Sequence, residues 1–297
     1  MTGKLGILAR FSLCLLLAFD LMSNTKAHSH FQRSSLTTRS DSQCQPFQSN
    51  LGPSSVSSDG SKDFVAISPS GSYSTSGSGL ELYLKKPKGA ITTKDGVNDK
   101  IGDGATINST FTLRYGKVTI AMSGPAVSGV VTAAILIADQ NDEIDVELVG
   151  GDPTHWQTNV YAPSPEDTQP LWGAFGEIED YPNGGTLDEY HQYTIDWNAE
   201  RIVWSVDSTD VRTLRKGGVW SALQGLFVNT RLHRCIDQTQ KNGALHFPSH
   251  ATRIQLGIWD ASSPAGTAQW AKGPIDWTTA PSKMTANFKS IVVECPY

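Results

Sequence analysis

Residues 142–150, DEIDVELVG, place acidic side chains at alternate positions of a short apolar run. Glu143, Asp145 and Glu147 are separated by β-branched residues. On a β-strand, residues two apart project from the same face, so these acids share one face and the apolar residues share the other. Like charges that face each other repel, and no basic residue within the run offsets them. The pattern therefore indicates a site rather than an ordinary solvated strand.

The chemistry that uses such a pair of acids is glycoside hydrolysis with retention. It needs two carboxyl groups about 5–5.5 Å apart, one as nucleophile and the other as acid/base. Glu143 and Glu147 are about 13 Å apart along an extended strand, so their carboxyl ends must converge. Asp145 lies between them and can hydrogen-bond to a neighbour. Crowded carboxylates also predict that one pKa is raised, as an acid catalyst requires.

Metal and cofactor sites have weaker signals. Asp139, Asn141 and Glu143 have the spacing of a calcium loop, but Ile144 stands where an EF-hand needs glycine. The histidines and cysteines lack metal-ligand spacing, and no GxSxG or phosphate-binding glycine loop is present. We therefore predict no metal and no cofactor.

The rest of the chain predicts an all-β fold. Short apolar runs bounded by Gly, Pro, Asn or Asp recur without alternating helices, which favours a two-sheet antiparallel β-sandwich. Residues 193–207 predict a hairpin that turns at 198–200, and Leu232–Gly243 predicts one short helix. Trp197 and Trp204 are expected in the core.

Composition and the N-terminal segment indicate a secreted enzyme with a neutral substrate. The net charge is -5 and only 18% of residues are charged, which disfavours nucleic acid and anionic membranes as partners. Residues 1–27 resemble a cleaved secretory signal with a short apolar core, so no membrane span is expected. Residues 28–60 are Ser-rich and predict a flexible lead-in, with order beginning near Cys44; the catalytic domain is predicted at 61–297.

The cysteines and one sequon are consistent with secretion. Cys14 leaves with the signal, and Cys44, Cys235 and Cys295 allow one disulfide whose pairing the sequence leaves open. Asn108 begins the sequon NST and is the expected N-glycosylation acceptor. We expect a monomer located outside the cell or in a cell wall.

Several motifs together resemble glycoside hydrolase family 16. DEIDVELVGG resembles the family's catalytic strand, E-[ILV]-D-x-E, and HWQTNVY resembles the strand that follows. YHQYTIDWNAERIVWSVDSTDVRTL resembles a stretch found across many members. TRIQLGIWDASSPAGTAQWAKGPIDW is similar to the fungal cell-wall branch, the chitin–β-glucan transglycosylases. The resemblance extends over residues 100–280.

This resemblance implies a concanavalin-like jelly roll with a concave substrate cleft. It implies that Glu143 is the nucleophile, Glu147 the proton donor and Asp145 an assisting residue. It also implies sugar contacts by residues on later strands, namely Gln157, Asn159, Gln255, Trp259, Thr267 and Trp270, besides Glu147 itself. The chain departs from the family where Gln255 replaces a frequent arginine, and where Val146 and Leu148 replace frequent aromatic residues.

The predicted function is a retaining glycosidase or transglycosylase that cleaves chitin or β-glucan and transfers the chain to a glucan acceptor. The main alternative is a secreted β-1,3(4)-glucan hydrolase, because the acid motif leaves the acceptor open. A non-catalytic, lectin-like wall-binding module is the other alternative. The intact set of acids argues against it, since binding alone does not need two glutamates across a scissile bond.

Overall fold

The structure is a computed structural model that describes residues 44–217, 235–236 and 239–297. The predicted signal peptide 1–27 and residues 28–43 of the predicted lead-in lie outside this described part. The described chain forms two large sheets packed face to face, so the predicted all-β sandwich is confirmed.

The sheet that carries the acidic strand is called the acid sheet below. It has eight strands, in the order β13 (Glu177–Asp180), β12 (His155–Tyr161), β11 (Glu143–Val149), β10 (Val130–Ala138), β20 (Thr252–Asp260), β8 (Ala105–Ser109), β3 (Phe64–Ala66) and β2 (Val56–Ser57). All neighbours are antiparallel except β2 and β3, which are parallel.

The sheet that packs against it is called the opposite sheet. Its strands follow the order β17 (Cys235–Ile236), β16 (Thr209–Arg215), β15 (Arg201–Val206), β14 (His191–Trp197), β9 (Gly116–Ser123), β21 (Lys283–Glu294), β5 (Gly79–Lys85) and β4 (Tyr73–Ser76), with β1 (Phe47–Ser49) also paired to β21. The remaining elements are two small hairpins and one helix: β6 (Thr93–Lys94) with β7 (Val97–Asn98), β18 (Gln240–Lys241) with β19 (Ala244–Leu245), and α1 (Ala265–Trp270).

The core lies between the two sheets and follows from alternating strand patterns. In β9, every second side chain is buried, including Val118, Ile120 and Met122. Trp197 and Trp204 have no exposed surface, which confirms their prediction as core residues. The predicted hairpin is also confirmed, because β14 pairs with β15 and the Asn198 N–H donates to the Arg201 carbonyl.

Two predicted segments are wrong. Structure begins at Cys44, as expected, but the boundary at residue 60 is wrong, because residues 44–60 belong to the sandwich: β1 pairs with β21, β2 pairs with β3, and Leu51 is completely buried. The domain therefore includes residues well before 61, since a few apolar side chains among the serines fill the sandwich edge. The helix predicted at Leu232–Gly243 is replaced, over its described part, by strands β17 and β18.

The missed signal for the second segment is the pair Asn242 and Gly243. Both have positive φ and connect β18 to β19. Asn-Gly is a preferred two-residue hairpin turn, because both positions of a type I′ turn need this conformation.

A disulfide joins Cys44 to Cys295, with 5.6 Å between the Cα atoms. It resolves the pairing that the sequence left open, and it ties the start of the described chain to the end of β21. None of the helices in the described ranges has the length and apolar character needed to cross a membrane.

Candidate active site

Strand β11 divides its side chains between two environments. Ile144, Val146 and Leu148 point into the core between the sheets. Glu143, Asp145 and Glu147 project from the other side, called the acid face below, as the alternation predicted. The acids are themselves covered by neighbouring groups, since each is at most 2% exposed.

The strand register identifies the neighbours of the acids. Glu147 pairs with Gln157 on β12, and Asp145 pairs with Asn159. Paired residues on antiparallel strands project to the same face, so both amides reach the acid face. The Asn159 side-chain N–H donates to Asp145 Oδ2 at 3.0 Å. Gln157 and Asn159 therefore lie beside the acids, where the sequence analysis places them.

The acids affect one another electrostatically. Burial raises the pKa of Glu143 well above its usual range, and the charges of Asp145 and Glu147 raise it further. Burial also raises the pKa of Asp145, to about 7, against the opposing influence of Glu143, Asn159 and the charge of Arg212. These carboxyl groups therefore lie close enough to compete for a proton near neutral pH.

An aromatic pair borders the Glu147 end of the strand. The rings of Trp259 on β20 and Trp270 in α1 are stacked, with centroids 5.9 Å apart. The Trp270 indole N–H donates to Gln157 Oε1 at 2.8 Å, and Gln157 is the cross-strand neighbour of Glu147. Both tryptophans pack on a small apolar cluster that is separate from the main core. Trp259 and Trp270 are thus brought to the acid face together.

A second aromatic pair borders the Glu143 end, and the sequence analysis missed it. Tyr161 is the cross-strand neighbour of Glu143, and its ring stacks on Trp172 with centroids 6.5 Å apart. Burial raises the pKa of Tyr161, and nearby Asp167 and Glu143 raise it further. The strand alternation held a signal for Tyr161, which follows Asn159 by two positions. Trp172 lies in a loop and had no such signal.

Gln255 and Asn108 form a polar pair on the same face. Gln255 pairs with Ile135, which pairs with Asp145, so a continuous row crosses the strands. Asn108 extends this row, and its Oδ1 accepts a 2.8 Å hydrogen bond from Gln255. The expected glycan acceptor therefore lies on the acid face.

The remaining predicted contact, Thr267, is buried in helix α1. Its contact with sugar stays a prediction.

Small residues adjoin Glu147 across the sheet. Glu147 pairs with Ala133, and Ala133 pairs with Gly257. A Cβ added to Gly257 would meet its nearest neighbour, the Ala105 carbonyl oxygen, at 3.6 Å, an ordinary contact distance. Packing therefore does not require glycine here. The residues beside Glu147 on this face therefore add little side-chain bulk.

In the part of the chain that the structure describes, no three His, Cys, Asp or Glu side chains lie together as a potential metal site. The arrangement on β11 is thus one of carboxyl groups, amides and aromatic rings. Such a set can bind a sugar, attack it and transfer protons.

Comparisons with known proteins agree with this geometry. Residues 61–224 match the family model of "Glycosyl hydrolases family 16". Crh-like protein 2 of Aspergillus fumigatus is 33% identical over 72% of this chain and 42% of its own length. Crh-like protein CRH11 of Candida albicans is 28% identical over 84% of this chain and 43% of its own length. The chain thus spans less than half the length of these relatives.

A solved structure described as "Crh5 transglycosylase in complex with NAG" has the same fold. It superposes with a TM-score of 0.61 at 25% identity, covering 86% of this chain and 89% of that one. The predicted resemblance is therefore confirmed in sequence and in structure.

Proposed function

The chain belongs to glycosyl hydrolases family 16, and we propose that it is a retaining transglycosylase acting on cell-wall polysaccharide. The observation that carries this proposal is the geometry of β11, where Glu143 and Glu147 share one buried face and influence each other's charge. Double displacement requires a pair of carboxyl groups that flank the scissile bond, and the aromatic rings beside them suit sugar binding.

In the first half-reaction, a Glu143 carboxylate oxygen bonds to the anomeric carbon while the glycosidic C–O bond breaks. Glu147 gives its proton to the leaving oxygen, and a covalent glycosyl-enzyme results. Glu143 must be ionised to attack. Burial and the neighbouring charges favour the protonated form of Glu143, so its proton must pass to another group before the attack; Asp145, whose pKa is raised to about 7, is the adjacent carboxyl that can take it.

In the second half-reaction, the acceptor hydroxyl loses its proton to the Glu147 carboxylate. Its oxygen attacks the anomeric carbon, and the bond to Glu143 breaks. Two inversions give retention. Water as acceptor makes the reaction hydrolysis, whereas a sugar hydroxyl makes it transfer.

Chitin is the proposed donor and β-glucan the proposed acceptor. The similarity to Crh-like proteins supports this pair, as does the similar structure described with NAG bound. The proposed location is the cell wall or the extracellular space. The disulfide supports that location, since such bonds persist in oxidising compartments.

The test is to incubate the purified protein with chitin oligomers and a labelled β-1,3-glucan oligomer, and to determine product masses. Labelled products enlarged by N-acetylhexosamine units support the transglycosylase. Cleavage of glucan with addition of water, and no hybrid products, would identify the β-1,3(4)-glucan hydrolase instead. Binding to the oligomers without any new product would identify the lectin-like module.

The catalytic roles are tested by substitution. Glu143→Gln and Glu147→Gln should each lower turnover by roughly 10³-fold or more, because each removes a covalent or proton-transfer role. Circular dichroism should show that both variants keep their fold. Turnover near the wild-type rate in either folded variant contradicts the assigned role.

Trp259 is the proposed platform that holds the sugar acceptor, together with Trp270. Stacked rings position a pyranose without charge, and good orientation lets a bound hydroxyl compete with bulk water. Trp259→Ala should shift products from transfer toward hydrolysis. An unchanged product ratio in a stable variant excludes the platform, and a loss of melting temperature with equal loss of both activities indicates a core role.

A further inference from the structure

Arg212 is a buried cation on the core side of the acid sheet. It lies on β16 in the opposite sheet, is 2% exposed and points inward. Its guanidinium lies over the ring of its cross-strand neighbour Trp204, 4.6 Å from the ring centroid. A charge taken out of water is costly, so a buried arginine needs specific partners.

The partners of Arg212 belong to the acid sheet and its connections. Nη1 donates to the Thr158 carbonyl at 3.1 Å and to Thr158 Oγ1 at 2.6 Å. Nη2 donates to the Phe175 carbonyl. Thr158 Oγ1 in turn donates to Glu179 Oε1 at 3.0 Å. The guanidinium therefore joins β12, β13 and the segment that connects them.

Two routes lead from Arg212 to Asp145. Thr158 stands between Gln157 and Asn159 on β12, and Asn159 donates to the Asp145 carboxylate at 3.0 Å. The second route is through the ring under the guanidinium, because the Trp204 indole N–H donates to the Asp145 carbonyl at 3.0 Å. Arg212 thus constrains both the backbone of Asp145 and the amide that orients its side chain.

The charges around this group come from several elements. Burial lowers the pKa of Arg212 to about 10, and Glu179, Glu177 and Asp145 oppose this fall. Arg212 therefore remains a cation at neutral pH. Glu143 and Glu147 flank Asp145 on β11, and Tyr161 lies near Glu143 and is also influenced by Asp167.

We propose that Arg212 is a positioning residue of the reaction, which acts from beneath the sheet by fixing Asp145 and by favouring ionised carboxylates on the acid face. The expected kinetic effect of Arg212 rests on the proposed function, whereas its contacts with the acid sheet do not depend on it. The contacts that carry it lie in the sandwich interior, where no sugar reaches. A cation that the solvent cannot screen acts on the acids at every ionic strength.

The experiment compares Arg212→Met and Arg212→Lys with Arg215→Met, an exposed arginine on the same strand. Arg212→Met should move the acidic limb of the kcat/KM profile up by roughly one pH unit, because lost positive charge disfavours carboxylate ionisation. It should lower kcat while KM changes less than about twofold. Arg212→Lys keeps the charge, so its acidic limb should stay at the wild-type position while its melting temperature falls. Arg215→Met should match the wild type in both.

A folded Arg212→Met variant with an unchanged acidic limb overturns the proposal, even if its melting temperature falls. If Arg212→Met does not fold, the variant Arg212→Met with Glu179→Gln removes the cation together with a carboxylate that offsets its charge. A smaller shift of the acidic limb in the same direction is then required, because loss of the Glu179 charge cancels part of the effect. An infrared titration of the buried carboxyl band, assigned with Asp145→Asn, needs no substrate. The same upward shift in the infrared titration supports the positioning role even if no turnover is found. The absence of turnover would then contradict only the proposed function.

Discussion

At the scale of single residues, Asp145, the proposed assisting residue, carries a cost in stability. It has no exposed surface, and burial raises its pKa from 3.8 to about 7. The folded protein therefore binds more protons than the unfolded chain between about pH 4 and pH 7. Stability contributed by the protonated form is complete at the low end of this window and is lost as pH rises through it.

Asp145→Asn should remove this loss, because asparagine does not titrate and can still accept the bond from Asn159. We expect a gain in the free energy of unfolding on the order of a few kcal/mol at pH 8, and little gain at pH 4. Activity should fall at both pH values. Thermal unfolding of both proteins across this range measures the effect, and an equal gain at pH 4 and pH 8 contradicts the titration argument.

Asn108 offers a second prediction at this scale. Its side chain lies on the acid face and accepts a bond from Gln255, so a glycan there would extend over the substrate site. We expect the Asn108 peptide to be largely unmodified in active, secreted protein, by mass spectrometry. Thr110→Ala removes the sequon but keeps Asn108, and its activity should equal that of the wild type. Fully glycosylated protein with full activity contradicts this expectation.

At the scale of elements, strands β10 and β20 form the floor next to Glu147. Gly257 tolerates a Cβ at ordinary contact distance, and valine favours strands more than glycine does. Gly257→Val should therefore keep or raise the melting temperature while lowering kcat/KM about tenfold or more, because its methyl groups occupy sugar space. Gly257→Ala is the graded control, with a smaller loss. Equal activity of the valine variant and the wild type would show that no sugar binds above Gly257.

The sequence predicted these elements well where a periodic pattern decided the structure. β11 was predicted because its alternation is strict, and β14 and β15 because a turn separates two apolar runs. The wrong segments lack such patterns: serines masked the buried Leu51, and Asn242–Gly243 was interpreted as a helix end rather than a hairpin turn.

The site was predictable to the same extent. Glu143, Asp145 and Glu147 share a face because of local alternation, which a sequence displays. Trp172 and Arg212 reach the site through tertiary packing, from a loop and from the other sheet. Neither position follows from neighbours in the sequence, since contacts across a sandwich depend on sheet order.

At the scale of the whole molecule, the Cys44–Cys295 disulfide closes a loop of 251 residues. Closing so long a loop restricts the unfolded chain, with a stabilisation of about 3–5 kcal/mol. Replacing both cysteines by serine should lower the melting temperature by several degrees. The β-sheet signal in circular dichroism should be unchanged at low temperature. A melting temperature equal to that of the oxidised wild type would mean that strand pairing of β1 alone secures this end.

The same bond also determines how the domain carries mechanical load. A pull applied through residues outside Cys44 and Cys295 passes along the covalent S–S link, so the sheets between them bear no tension. Reduction transfers that tension to β1 and β21, and unfolding then releases up to roughly 900 Å of chain from the 251-residue loop. For the cell-wall enzyme proposed above, this link would keep the catalytic geometry intact under traction as long as it is oxidised.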